Sequence, residues 1–215
     1  RATDVDGDTA DQAYSWVVNS VSPISTGGTV TIPTILEGVS ASYDVDTDFS
    51  YATGSVFGNY SLQSGALPSG LNLNTSTGVI SGNSSGVSAN TLYTFTIRAT
   101  DTDGDTIDQA YNWTINHTTP SSTGGTVTIP STIETQAASY TVASDFTFAA
   151  GAVFSAYSLQ NGSLPTGLSL NTTSGVISGT VGGVSSDTTY SFTIRATDTD
   201  GDTVDQGYSW AIIQV

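Results

Sequence analysis

Apolar side chains fall at every second position over much of this chain, in short runs. Ala41, Tyr43, Val45, Phe49 and Tyr51 alternate with Ser42, Asp44, Asp46, Asp48 and Ser50. Tyr93, Phe95, Ile97 and Ala99 make another such run, and Ile107, Tyr111, Trp113 and Ile115 another. Shorter pieces sit at Val30 and Ile32, at Phe57, Tyr60 and Leu62, at Leu71 and Leu73, and at Val79 and Ile80. Period two marks strands with one buried face, and helical spacing is missing throughout. About seven short strands per roughly 100 residues, punctuated by Gly and Pro, predict an all-β fold of immunoglobulin-like β-sandwich modules.

The pattern is serial. Arg1-Ala-Thr-Asp-Val-Asp-Gly-Asp-Thr returns from Arg98 and from Arg195 with Thr for Val, each time followed by Asp-Gln-x-Tyr-x-Trp, at a constant spacing of 97 residues. Residues 20–116 align with 117–213 without a gap, and about 60 of the 97 positions are identical. A repeat this regular is a structural unit used in tandem. The predicted division is one module over 20–116, a second over 117–215, and residues 1–19 as the C-terminal hairpin of a truncated preceding module.

The last hairpin of each module has a register that parity decides. The inward residues Tyr93, Phe95 and Ile97 are odd-numbered, as are Ile107, Tyr111 and Trp113. Facing residues share a side of the sheet, so the connecting loop holds an odd number of residues. A loop of Thr102, Asp103 and Gly104 puts Gly at the left-handed position. It pairs Phe95 with Tyr111, Tyr93 with Trp113, and on the outer side Arg98 with Asp108. The equivalent pairs are Arg1 with Asp11 and Arg195 with Asp205. An exposed ion pair of this kind adds little strength, so its role is register.

Composition narrows the partners. Charged residues are only 10% of the chain against roughly 25% in an average domain, and the net charge is −16. Such a surface repels phosphate backbones and anionic lipid, which argues against nucleic acid and direct membrane insertion. No apolar run approaches the roughly 20 residues of a membrane span. Cys and Lys are both absent, so neither disulfides nor lysine cross-links hold the modules.

The hairpin register also opposes like charges: Asp101 faces Asp105, with Asp103 at the tip. The arrangement recurs at Asp4, Asp6 and Asp8 and at Asp198, Asp200 and Asp202. Opposed carboxylates destabilise a sheet, and a bound cation resolves the conflict. Oxygen-rich loops suit Ca²⁺, so these nine residues are the candidate metal ligands, although the spacing is not that of an EF-hand. The other reading is a solvated tip rich in turn-forming Asp. The loop is expected at the end where its module's chain enters, next to the exit of the preceding module, where Ca²⁺ would stiffen the joint.

Three motifs carry a family resemblance. They are Tyr60-Ser-Leu-Gln-Ser-Gly-Ala-Leu-Pro-Ser-Gly-Leu-Asn-Leu-Asn, Thr77-Gly-Val-Ile-Ser-Gly and Tyr93-Thr-Phe-Thr-Ile-Arg-Ala-Thr-Asp, repeated over Tyr157 to Asn171, Ser174 to Gly179 and Tyr190 to Asp198. In these the chain resembles the immunoglobulin-like repeats related to cadherin-like dystroglycan modules. The resemblance implies surface adhesins, accessory modules of extracellular enzymes or phage structural proteins as hosts, and it suggests calcium. The cadherin linker pattern Asp-x-Asn-Asp-Asn is absent.

Catalytic sets are not to be found. The sole histidine, His117, stands at the module boundary, where its equivalents are Ser20 and Gln214, and reads as a linker residue. Trp113 and Trp210 fall on the inward phase of their strand and read as core, against the alternative of a sugar-stacking platform. The Asp44, Asp46 and Asp48 stripe reads as a solvated face. The expectation is a non-enzymatic structural segment of an extracellular fibre, stalk or phage virion appendage, with neighbouring modules and other structural subunits as partners. The Pro120-Ser-Ser-Thr-Gly-Gly stretch is expected to act as connector. The alternative is an adhesin module of a bacterial cell surface that binds a glycan or protein receptor.

Overall fold

The computed structural model describes residues 1–215, which form two β-sandwiches in tandem, preceded by a small hairpin. That hairpin pairs β1 (Ala2–Thr3) with β2 (Thr9–Ala10), and residues 11–23 form no strand. The first module runs through β3 (Ile24–Ser25), β4 (Thr29–Leu36), β5 (Ser40–Asp44), β6 (Phe49–Ser50), β7 (Phe57–Gly65), β8 (Leu71–Leu73), β9 (Val79–Asn83), β10 (Thr91–Asp101) and β11 (Thr106–Asn116). One sheet has the order β4-β11-β10-β7, with β4 parallel to β11. The other face carries β5-β9-β8 and the short pair β3-β6.

The second module repeats each element as β12 (Ser121–Ser122), β13 (Thr126–Ile133), β14 (Ala137–Thr141), β15 (Phe146–Thr147), β16 (Phe154–Gly162), β17 (Leu168–Leu170), β18 (Val176–Thr180), β19 (Thr188–Asp198) and β20 (Thr203–Ile213). Its strand orders, β13-β20-β19-β16 and β14-β18-β17, are those of the first.

Each module buries its own core. In the first, Phe95, Ile97, Tyr111, Trp113 and Ile115 close against Val45, Phe49, Leu71 and Ile80. The Phe95 and Tyr111 rings stack with centroids 5.4 Å apart, and Phe192 and Tyr208 do the same at 5.4 Å. Such offset pairs add to the gain from burial alone. Trp113 and Trp210 are core residues, as their strand phase predicts. Tyr14 and Trp16, at the equivalent positions ahead of the first module, are exposed.

The hairpin register is the one that parity predicts. Phe95 faces Tyr111, Tyr93 faces Trp113 and Arg98 faces Asp108, with the same pairs in the second module. Gly104 takes φ +97° at the tip. Arg98 Nε and Nη2 donate to the two oxygens of Asp108 at 2.8 and 2.9 Å. Both partners face water, which screens the pair. Arg98→Ala is therefore expected to move the urea midpoint of the first module by no more than about 0.3 M, a shift that equilibrium denaturation resolves.

Three details differ from the sequence reading. The alternation from Ala41 to Tyr51 is broken by a 3-10 turn over Val45–Asp48, whose first N–H groups are capped by Asp44, which accepts from the Asp46 N–H at 3.1 Å. Val45 opens the turn and Phe49 follows it in extended backbone, and both are buried in the core. The Asp stripe is structural in part: Asp48 Oδ2 accepts from Tyr43 and Tyr111 hydroxyls at 2.8 and 3.1 Å, and Asp145 takes Tyr140 and Tyr208 likewise. This carboxylate ties the two sheets together through phenols that the core cannot leave unpaired.

The third detail concerns the stretch expected to connect the modules. Ser121–Ser122 is already strand β12, paired with β15, so the Pro-Ser-Ser-Thr-Gly-Gly segment lies inside the second module. Gly124 and Gly125, at φ +74° and +62°, let the chain switch from one sheet to the other there. Gln206 fixes the switch by accepting from the Gly124 N–H and donating to the Gly125 carbonyl, as Gln109 does at Gly27 and Gly28. The residues that join the modules are His117 to Pro120, between β11 and β12.

Candidate functional site

The first module holds the residues that leave it. Glu37 follows β4, and its side chain is only 1% exposed. Its Oε2 accepts from the Val87 N–H at 2.6 Å within the same module. Its Oε1 accepts from the Thr118 N–H at 2.6 Å and the Thr118 hydroxyl at 3.0 Å in the linker. One residue earlier, the His117 N–H donates to Asn90 Oδ1 at 2.9 Å. The same clamp recurs in the second module, where Gln214 N–H donates to Asp187 and Val215 N–H to Glu134.

The second module meets this end with its last hairpin. His117 lies between the modules with Nδ1 3.3 Å from Glu37 Oε1 and Nε2 3.0 Å from Asp202 Oδ2. Asp200 packs on Gly86 of the first module so closely that a Cβ there would sit 2.5 Å from Asp200 Cβ. Gly151 approaches from the second module, with Thr118 Oγ1 2.8 Å from where its Cβ would be. Ligand atoms from Glu37, His117, Asp200 and Asp202 all lie within 4.8 Å of one another.

The electrostatics follow from that crowding. Burial alone pushes the Glu37 carboxyl up, but the Val87 and Thr118 donors and the neighbouring imidazole outweigh it and hold it below the usual carboxylate range. His117 experiences the reverse contest: desolvation lowers it, and Asp202 and Glu37 together raise it. Asp200 is pushed up to about 6, first by desolvation, then by the Asp198 carboxylate against it, with Glu37 adding to the repulsion. Negative groups forced together in a partly dry joint favour any cation that can enter.

The three Asp hairpins differ in what surrounds them. Asp101, Asp103 and Asp105 gather within 4.8 Å, and so do Asp4, Asp6 and Asp8. In the first module both oxygens of Asp101 are spent within that module: Oδ1 accepts from the Asp105 N–H at 2.8 Å and Oδ2 from the buried Ser55 hydroxyl at 2.9 Å. Asp4 likewise accepts from the Asp8 N–H. Ser20 donates to Asp105 where the second module has His117 beside Asp202. In the second module Asp198 Oδ1 accepts from the Gly201 and Asp202 N–H groups, but its buried Oδ2 has no partner. There Asp200 and Asp202 gather with Glu37 and His117, where Asp103 and Asp105 gather with Asp101.

Glu37 and His117 were not among the predicted ligands. The signal available for His117 was its departure from Ser20 and Gln214 at one repeat position. The signal for Asp198 was Ala152 standing where the first module has Ser55.

A tandem pair of immunoglobulin-like sandwiches, joined through a buried carboxylate and an acidic hairpin, is the class that this architecture defines. Residues 22–116 and 117–213 each match the family described as "Putative Ig domain", and the chain belongs to that family. No curated protein matches it. Among solved structures, the endo-fucoidan hydrolase MfFcnA4 from glycoside hydrolase family 107 aligns over 99% of this chain and 33% of its own, at 19% identity and TM-score 0.47. The human desmocollin-1 ectodomain aligns over 99% of this chain and 47% of its own, at 10% identity and TM-score 0.41. Drosophila N-cadherin EC1-4 covers 91% of this chain and 51% of its own, at 14% identity and TM-score 0.33. This chain thus spans a third of the hydrolase's length, and likenesses this distant carry nothing about function. No helix is long and apolar enough to cross a membrane.

Proposed function

We propose that this chain is a non-enzymatic spacer from an extracellular fibre, stalk or phage virion appendage, built from modules whose joints are held stiff. The observation that carries this reading is the exit clamp. Glu37 binds the backbone of Thr118 in the linker to the next module, and Glu134 repeats the contact one module later. A buried carboxylate that accepts charge-assisted bonds from a linker removes the freedom that a loose linker keeps. Each sandwich is self-sufficient in its core, so stacking modules lengthens the object without altering any of them. In this reading residues 1–19 are the closing hairpin of another such module. A cation at an acidic hairpin tip would brace such a module end, and calcium is the ion that the oxygen-only tips at Asp4 to Asp8 and Asp101 to Asp105 suggest.

Small-angle scattering of the metal-free chain tests the spacer. A stiff joint gives one narrow distribution of interatomic distances. Gly86→Val places a side chain where Asp200 packs, and is expected to broaden that distribution while each module melts within about 2 °C of its original temperature. A wild-type chain as broad as the variant would overturn the reading. Saturable micromolar binding on a glycan array would turn it toward an adhesin module.

A further inference from the structure

The three Asp hairpins act as internal controls for one another, and only that of the second module leaves a buried oxygen of its first Asp unpaired. Asp198 is 2% exposed, and no protein donor reaches its buried Oδ2. The equivalent oxygen of Asp101 is satisfied by Ser55, and the second module has Ala152 at that position. A buried carboxylate oxygen without a partner is costly, and here it sits in a cluster that already holds Asp200 beside it. Across the joint stand Glu37 and the ring of His117.

The donor set is mixed. Calcium takes six to eight oxygens and has little use for an imidazole. Imidazole with a few carboxylates suits zinc and its first-row neighbours, at bond lengths near 2.0–2.2 Å. His117 has a carboxylate at each ring nitrogen, Glu37 at Nδ1 and Asp202 at Nε2. Either nitrogen can exchange its proton for a metal ion without leaving the cluster.

We propose that the joint between the modules is a binding site for one divalent transition-metal ion of the zinc class, held by His117, Glu37, Asp200 and Asp202, with the buried, uncompensated carboxylate of Asp198 behind Asp200. The proposal rests on the docked joint of the spacer reading. It differs from the calcium expectation in its ion and in drawing ligands from both modules. The hairpins at Asp4 to Asp8 and Asp101 to Asp105, which lack an imidazole, are not part of it.

The test uses the two-module chain after chelator treatment, titrated separately with ZnCl₂ and CaCl₂ by calorimetry. His117 is the chain's only histidine, so its imidazole NMR signals report directly on the site. The expected result is one equivalent of Zn²⁺, bound more tightly than Ca²⁺, with the His117 signals shifted to completion at that equivalence. His117→Gln, which installs the residue found at position 214, is expected to weaken Zn²⁺ at least tenfold, with both modules still folded by far-UV circular dichroism before metal is added. Ala152→Ser, which restores the first module's hydroxyl partner, is expected to weaken it several-fold, since second-layer partners tune affinity on that scale. Absence of saturable Zn²⁺ binding up to millimolar concentration overturns the proposal. So does a Zn²⁺ affinity unchanged in His117→Gln, or Ca²⁺ binding the tighter of the two. Scattering of the same metal-free sample separates the two ideas: a narrow distribution without metal binding sinks the metal site and leaves the spacer standing.

Discussion

Trp113→Ala is expected to unfold the first module at ambient temperature or bring it to the edge of unfolding, while the second module melts as before. The indole is 1% exposed and closes the core beside Tyr43, whose ring meets it edge-on with centroids 6.2 Å apart. Truncating a buried aromatic to Ala costs about 3–5 kcal/mol, and a domain of this size has only about 5–15 kcal/mol in all. Because the cores are separate, the loss stays in one module, and calorimetry should resolve two transitions where only the first has moved. Trp210→Ala should move the other. The two indoles are not equivalent: Trp210 Nε1 donates to Thr132 at 3.1 Å, whereas Trp113 Nε1 is buried without a partner because Ile35 occupies the equivalent position. Replacement by Phe should therefore be tolerated better at 113 than at 210. A single transition shifted as a whole by either Ala variant would contradict independent modules.

What could be read in the sequence depended on the distance over which each signal acts. The Arg98–Asp108 register needed only parity and a Gly, because a hairpin joins neighbours in sequence. The inward phase of Trp113 was legible for the same reason. Gln109 lies on that same phase, and counting it would have flagged a buried amide, but a polar residue in an apolar run reads as noise until its partners at Gly27 and Gly28 are known. The Pro-Ser-Ser-Thr-Gly-Gly segment misled because turn chemistry inside a sandwich, where a strand changes sheets, uses the same residues as a linker between domains. The joint itself was half legible. The hairpin tip was expected beside the preceding module, and Asp200 and Asp202 are there, but nothing local in the sequence pairs them with Glu37. That contact belongs to the stacking of two folded units. Only the breaks in the repeat, His117 for Ser20 and Ala152 for Ser55, hinted that this tip was unlike the others.

Glu37→Ala is expected to have the second large effect, and of a different kind, because it acts on a module and on a joint together. The carboxylate accepts two backbone N–H groups at 2.6 Å, one from Val87 and one from Thr118. Removing it strands both donors in a site that water barely reaches. A lost bond to a charged acceptor is worth about 1.5–3 kcal/mol, and each orphaned donor carries its own penalty, so a loss of about 2–5 kcal/mol from the first module is expected. Glu37→Gln should fare little better, since an amide offers one acceptor where two opposed donors need one each. The distinguishing result lies in the comparison with Glu134→Ala. Glu134 accepts from Val184 and Val215 in the same manner, so that variant should destabilise the second module by a similar amount. Only Glu37→Ala should also release Thr118 and widen the distance distribution between the two modules in scattering. If both variants leave that distribution narrow, the joint is held by the packing of Asp200 on Gly86, and the clamp serves the module rather than the chain.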